Sequence, residues 1–325
     1  MNAPDEADLW TKNIPWIDLP EADVSSYVDS LAQLPDYDLH KKLCDWRDNG
    51  FVIFEKAVAQ DLIDQYLDDV NHLIQCYGRY EIPIEIRGSQ LSSREVDSFP
   101  ADMTGVKLNQ MQCFSRAAAR ISLTPCVQDF LSHVFRSPSS VCQSLTFWRG
   151  SEQAIHIDYP YVCQQTKLGY LAASWVPLED VHPDAGPLAY YPGGHKLENS
   201  GFFDWGDGSI IYRDESRRTP TDFATYLADR MKQAGIARQE FFPKRGDVLI
   251  WHGNLPHEGT AVRDPRLTRK SYVTHYTAEA TLPDWMRNFD ESGNPVGVFE
   301  NGGFSYRYKW FDGKICLPSW ESENV

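Results

Sequence analysis

Along the first third of the chain, apolar positions recur at helical spacing. In YDLHKKLCDWRDN (Tyr37–Asn49), Leu39, Leu43 and Trp46 fall on one face, and Gly50 supplies a stop. DLIDQYLDDVNHLIQCYG (Asp61–Gly78) repeats the pattern, and a third helix is predicted from Thr124, as N-cap with Pro125 at the first position, to Phe135. Between the first two, FVIFEKAV (Phe51–Val58) reads as a short buried strand. The first forty residues carry Pro4, Pro15, Pro20 and Pro35 among acidic residues, which predicts an extended, loosely ordered lead-in.

After Pro138 the period changes. SSVCQSLTFW, AIHIDYPYV, YLAASWVPL, GPLAYYPG, GDVLIWHG and RKSYVTHYT are short, β-branched and aromatic runs separated by Gly, Pro and Asp turns, the pattern of an antiparallel sandwich or barrel. One long interruption, residues 195–243, contains a helical stretch (about Thr221–Ala234) that stops at Gly235. Two readings fit it equally: a lid hinged on Gly201, Gly206, Gly208 and Gly235, with the aromatic run Gly201–Trp205 facing substrate, or an excursion packed on the outside of the barrel. The expected architecture is mainly β with flanking helices (α+β). It is one catalytic domain over 1–325, with a helical part at about 1–137, a β core at 138–280 and a tail at 281–325.

Composition narrows the function classes. A hydrophobic fraction of 42% and an aromatic fraction of 13% in 325 residues supply a large core, so the chain is not disordered. No window approaches the ~18 apolar residues of a membrane span, and the start lacks the basic and apolar regions of a secretory leader. The net charge of −15 disfavours phosphate backbones and anionic lipid. A cytoplasmic protein with a small-molecule substrate, no nucleic-acid partner and no membrane partner is expected. Seven scattered cysteines without a CxxC pair predict reduced thiols, not a disulfide framework or a zinc site. GxGxxG before a helix, a P-loop and GxSxG are all absent, which removes support for nucleotide-binding and serine-hydrolase readings.

Chemistry concentrates in Ala154-Ile155-His156-Ile157-Asp158. In extended backbone alternate residues share a face, so His156 and Asp158 point one way and Ile155 and Ile157 the other. An imidazole and a carboxylate facing into a barrel are two members of a 2-His-1-carboxylate facial triad, although an HxD pair alone is more often a simple hydrogen-bonded pair. About a hundred residues later, RGDVLIWHGNLPHEGTAVRDPRLTRKSYVTHYT supplies a strand at Val248–Trp251 and His257 in a loop just beyond it. It also supplies Arg269, opening the next strand, where a guanidinium can fork onto a buried carboxylate. All four in that order are far less expected by chance than any one of them.

These residues, with WVPLEDVHPDAGPLAYYPGGH (Trp175–His195), GDVLIWHGNLPHEG (Gly246–Gly259) and RKSYVTHY (Arg269–Tyr276), resemble the phytanoyl-CoA dioxygenase family of Fe(II)- and 2-oxoglutarate-dependent oxygenases over about 138–280. PGGH stands where that family has PGSH, a departure in a turn that touches no ligand. The resemblance implies a double-stranded β-helix (jelly-roll, cupin-like) core. It implies His156, Asp158 and His257 as iron ligands and Arg269 as partner of the far carboxylate of 2-oxoglutarate. Thr260 is placed beside that arginine and Gln143 at the cosubstrate. Arg266 competes with Arg269 and His252 with His257 for their roles, and His195 is read as a turn residue. His275, six after Arg269 and therefore on the same strand face, either approaches the cosubstrate or packs. Tyr159, Tyr161 and Trp175 are candidate pocket-lining residues.

The implied cofactors are Fe(II), 2-oxoglutarate as cosubstrate and O2. The implied reaction is hydroxylation with release of succinate and CO2, since related halogenases lack a carboxylate at the position of Asp158. A small polar metabolite or natural-product intermediate is the expected substrate. The alternatives are another oxidation (desaturation, demethylation, ring rearrangement), a catalytically silent cupin-like binding protein, and a metal-dependent isomerase or oxygenase that needs no Arg269.

Overall fold

The computed structural model describes residues 14–75, 82–92, 95–96, 98–162, 169–198, 203–206 and 208–307. Its strands are β1 (Phe51–Phe54), β2 (Pro83–Ile86), β3 (Ser89–Ser92), β4 (Val106–Asn109), β5 (Ser139–Phe147), β6 (Leu171–Pro177), β7 (Leu188–Tyr190), β8 (Gln239–Glu240), β9 (Val248–His252), β10 (His257–Gly259), β11 (Ser271–Ala278), β12 (Gly297–Glu300) and β13 (Gly303–Tyr306). They form a large sheet in the order β1-β9-β6-β11-β5-β4-β2-β3 and a small one in the order β10-β7-β8. The hairpin β12–β13 joins the large sheet through a parallel bridge from β13 to β5; the other pairings are antiparallel. Two facing antiparallel sheets with helices on one side make the jelly roll.

The large sheet is buried on both faces, and the pleat sorts its residues. Ala172, Val176, Val248, Ile250, Tyr272 and Tyr276 pack outward on helices Leu39–Asn49, Gln60–Gln75, Arg116–Ser122 and Pro125–Phe135. Ala173, Trp175, Leu249, Trp251 and Val273 face inward towards Leu188, Tyr190 and Phe241 of the small-sheet side. A strand buried on both faces reads as a near-continuous apolar run, which is why β6 and β9 are conspicuous in the sequence.

Helix Leu39–Asn49 is capped by Asp38, which accepts from the Lys41 N–H, and ends at Gly50, whose φ of +83° only glycine adopts freely. Thr124 does precede helix Pro125–Phe135, but its hydroxyl donates back to the Ile121 carbonyl and makes no cap bond. Helix Pro220–Gln233 begins with a full capping box between Thr219 and Asp222. The expectation of a loose lead-in is corrected from Ile14 onward. Trp16 Nε1–H donates to the His133 carbonyl, and Asp23 caps a helix at Val24–Asp29. The tail also holds structure, the β12–β13 hairpin. No helix among the described residues is long and apolar enough to cross a membrane, and the four described cysteines form no disulfide.

Candidate active site

The HxD segment is not a full strand. A single bridge holds it: the His156 N–H donates to the His257 carbonyl and the His257 N–H to the His156 carbonyl, both at 2.9 Å. The Asp158 N–H then donates to the Gly253 carbonyl, also at 2.9 Å. Alternation survives all the same. Ile155 and Ile157 bury against Phe203, Trp205, Phe223, Leu227 and Met231 of the 195–243 insertion, and His156 and Asp158 turn into a cavity. Gly201 and Phe202 of the expected hinge and aromatic run lie outside the described residues. His257 opens β10 instead of sitting in a loop, because three residues are too few to show a strand pattern.

Three ligand atoms converge. Asp158 Oδ1 lies 3.6 Å from His257 Nε2 and 4.0 Å from His156 Nε2, and the three donor atoms fall within 4.8 Å of one another. The far side of each group is anchored. Carbonyls only accept, so His156 Nδ1–H donates to Ala154 O and His257 Nδ1–H to Leu255 O, each at 2.9 Å; this leaves both Nε2 lone pairs facing inward. Asp158 Oδ2 accepts from Trp251 Nε1–H at 2.8 Å. Burial, and then the nearby His257, push the His156 pKa down to about 3, so the ring is neutral. Burial alone would raise Asp158, but the neighbouring His257 and His275, the latter also as a hydrogen-bond donor, outweigh it and hold the carboxyl well below the usual range. Neutral imidazoles and an ionised carboxylate are the forms that bind a metal. The donor set fits a divalent iron with open positions.

Arg269 lies in the same cavity, 2% exposed, with its guanidinium 5.7 Å from the ring centres of both Phe147 and Trp175. One terminal N–H donates to the Gly186 carbonyl at 2.9 Å, Nε has no partner, and no carboxylate pairs with it among the described residues. Burial lowers its pKa to about 10, which still leaves it charged at neutral pH. The carbonyl it meets is set by a glycine turn. Gly186 has φ +73°, and a Cβ there would sit 2.8 Å from the Thr260 carbonyl oxygen.

The remaining candidates divide. Trp175 lines the cavity. Gln143 shares its strand face with the lining residues Leu145 and Phe147 and lies opposite His275, but does not itself reach the cavity wall. The Thr260 hydroxyl donates to Pro187 O instead of turning to Arg269. Tyr159 and Tyr161 sit behind the ligands, Tyr161 in a ring cluster with Trp205, Tyr212 and Phe223, its hydroxyl pKa raised by burial. Arg266 is exposed and bound to Asp264. His252 uses both ring nitrogens, accepting the Asn254 N–H at 2.9 Å and meeting Asp18 Oδ2 at 3.2 Å. His195 opens the short helix His195–Glu198 and reaches the Arg47 carbonyl.

Sequence reasoning missed two groups. Trp251, which orients Asp158, entered only as the end of a strand; its inward parity with Leu249 was the available signal. Gln153, whose amide lies 3.1 Å from His156 Nε2, had no signal beyond standing three residues before it.

A jelly roll with two imidazoles, a carboxylate and a buried unpaired arginine around one cavity defines a non-haem iron, 2-oxo-acid type of enzyme. The sequence matches the phytanoyl-CoA dioxygenase (PhyH) family over residues 46–271, and the chain belongs to that family. The fold recurs in the non-haem α-ketoglutarate-dependent carbocyclase SnoK from nogalamycin biosynthesis (15% identity, 77% of this chain and 85% of that one, TM-score 0.53). It recurs in the epimerase SnoN in complex with Fe3+, α-ketoglutarate and nogalamycin RO (16%, 81% and 96%, TM-score 0.52). EctD from S. alaskensis with 2-oxoglutarate and 5-hydroxyectoine is similar too (15%, 91% and 94%, TM-score 0.54). No curated protein sequence matches the chain. The protein is a non-haem Fe(II)/2-oxoglutarate-dependent enzyme, and His156, Asp158 and His257 are the described set able to hold the metal.

Proposed function

We propose that this enzyme is a cytoplasmic, single-domain hydroxylase that oxidises an unactivated C–H bond of a small polar metabolite or natural-product intermediate, with release of succinate and CO2. One observation carries the reading: a buried guanidinium with no carboxylate partner among the described residues shares a cavity with two imidazoles and a carboxylate whose ligand atoms converge. The converging donors suit a divalent iron, and the guanidinium suits the distal carboxylate of 2-oxoglutarate.

His156, Asp158 and His257 hold the iron, which when bound supplies the oxidising chemistry: decarboxylation of 2-oxoglutarate coupled to insertion of one oxygen atom from O2 into the substrate. Arg269 forks onto the distal carboxylate, and the Phe147 and Trp175 rings on its flanks keep water from competing for the guanidinium. Trp251 fixes the Asp158 carboxylate so that Oδ1 faces the metal. The insertion serves as the back wall of the HxD segment through Ile155 and Ile157. Leu145, Leu188 and Val273 give the cavity an apolar lining, with Ser151 and Gln153 as hydrogen-bonding groups for substrate.

The test is succinate release from 2-oxoglutarate by the Fe(II)-loaded protein under air, followed by a mass-spectrometric screen for metabolites that gain one oxygen. Absence of both coupled and uncoupled succinate formation overturns the proposal. Turnover that survives Arg269→Ala unchanged favours an oxygenase without this cosubstrate.

A further inference from the structure

His275 is 2% exposed, lines the cavity, and has neither ring nitrogen in a hydrogen bond. A buried imidazole with two idle nitrogens is costly, at roughly 1–3 kcal/mol for each unsatisfied group, so its placement needs a reason. Its Nε2 lies 3.4 Å from Asp158 Oδ1, closer than either proposed ligand imidazole. His156 and His257 have their Nδ1–H groups committed to Ala154 and Leu255, and His156 Nε2 also meets the Gln153 amide, so neither is placed to donate to that oxygen. Of the three imidazoles around Asp158, His275 alone has an N–H free to point at it.

The backbone supports the same conclusion. On β11 the pairing with β5 runs in register from Ser271↔Phe147 to His275↔Gln143, then shifts by one residue between His275 and Tyr276. Irregularities of this kind occur next to active sites, where they re-aim a side chain. Across the other edge His275 pairs with Ala173, whose small side chain leaves room for the ring.

We propose that His275 is a positioning residue for the metal centre: its Nε2–H hydrogen-bonds the metal-binding oxygen of Asp158. With Trp251 on Oδ2, the carboxylate is then held by a donor at each oxygen and presents one lone pair to the metal. The proposal rests on the assignment of His156, Asp158 and His257 as metal ligands.

The full-length protein, stripped of metal, is titrated anaerobically with Fe(II), alone and with 2-oxoglutarate, and Fe(II) release to a chelator is timed. Partners of metal ligands contribute about 10- to 100-fold in affinity. His275→Phe should therefore weaken Fe(II) binding by that factor in both conditions and speed release, and His275→Gln, which restores an N–H donor, should recover most of it. Wild-type affinity in His275→Phe overturns the proposal. So does a loss seen only with 2-oxoglutarate, which would place His275 against the cosubstrate. Should His275→Phe fail to fold by circular dichroism, His275→Gln is compared with His275→Met, and equal affinities overturn it. Failure of the wild-type protein to bind Fe(II) instead removes the ligand assignment itself.

Discussion

Two histidine clusters are buried in this protein, each beside an aspartate, and only one is built for chemistry. In the outer cluster, His195 and His252 lie with ring centres 5.3 Å apart, near Asp18. His252 has both nitrogens engaged, and His195 reaches the Arg47 carbonyl through Nε2. In the inner cluster, His156, His257 and His275 surround Asp158 with their Nε2 atoms 3.4–4.0 Å from one carboxylate oxygen, His156 Nε2 also meeting the Gln153 amide. Burial and an acidic neighbour are common to both. What differs is which atoms the surrounding backbone has already engaged: local carbonyls take the Nδ1–H groups of His156 and His257 and so expose the metal-binding atoms. The outer cluster ties the N-terminal segment to the end of β9, whereas three residues of the inner one converge as a set able to hold a metal ion.

The comparison breaks most visibly with His156→Ala, Asp158→Ala or His257→Ala. Each should remove bound iron and lower turnover by on the order of 10³-fold or more, since a catalytic metal supplies several kcal/mol, with an unchanged circular dichroism spectrum. Iron analysis of the purified variants checks it; iron retained in His257→Ala and lost in His252→Ala reverses the two clusters. Next in size, Arg269→Ala should raise the KM for 2-oxoglutarate by about 100-fold, equivalent to ~3 kcal/mol from a charge-assisted pair, while iron content stays at the wild-type level. His252→Ala should keep its iron and lose about 2 kcal/mol of stability in urea unfolding, because Asp18 and the Asn254 N–H lose their partner.

The smallest effect is in pH dependence. Burial holds the His195 pKa well below the ordinary value, so the folded protein leaves it neutral while the unfolded chain takes up a proton below about pH 6.5. Its contribution is intact above that pH and is lost as the pH falls, at up to ~1.4 kcal/mol per pH unit. His195→Gln should flatten the acid limb of the urea midpoint by that much; an unchanged slope shows that His195 protonates in the folded state.

Much of this was readable from pattern. β6 and β9 announce themselves as near-continuous apolar runs, β5 and β11 as β-branched and aromatic runs between turns, and the four long helices by their regular apolar stripes. HxD, His257 and Arg269 were readable as ordered residue types within that frame. What escaped depends on contacts between distant segments. The two-residue pairing of β8 and the three residues of β10 are too short to carry a period. The lead-in looked loose because prolines and acids hide the anchoring of Trp16 to His133 and Asp18 to His252. Thr260 beside Arg269 was a one-dimensional guess: in space its hydroxyl is nearer Pro187 O. His275 stands six residues after Arg269, but its approach to Asp158 follows from the register of β11 and the crossing of the HxD segment, neither of which has a local signature.

Strand β11 is hydrogen-bonded along both edges, to β5 from Ser271 to Ala278 and to β6 from Ser271 to Thr277. A ribbon laced on two sides does not stretch, and Arg269 is fixed just where it enters. On the proposed assignment, the opposite terminus of the cosubstrate would be held near groups tied through the His156–His257 bridge. The interior therefore acts as a gauge block. A keto diacid one methylene shorter or longer than 2-oxoglutarate engages one end or the other, and a misfit of about 1 Å already costs on the order of 10²-fold in rate. With Arg269 and the ligand set in their proposed roles, chain length in the cosubstrate would be measured by the weave of the sheet.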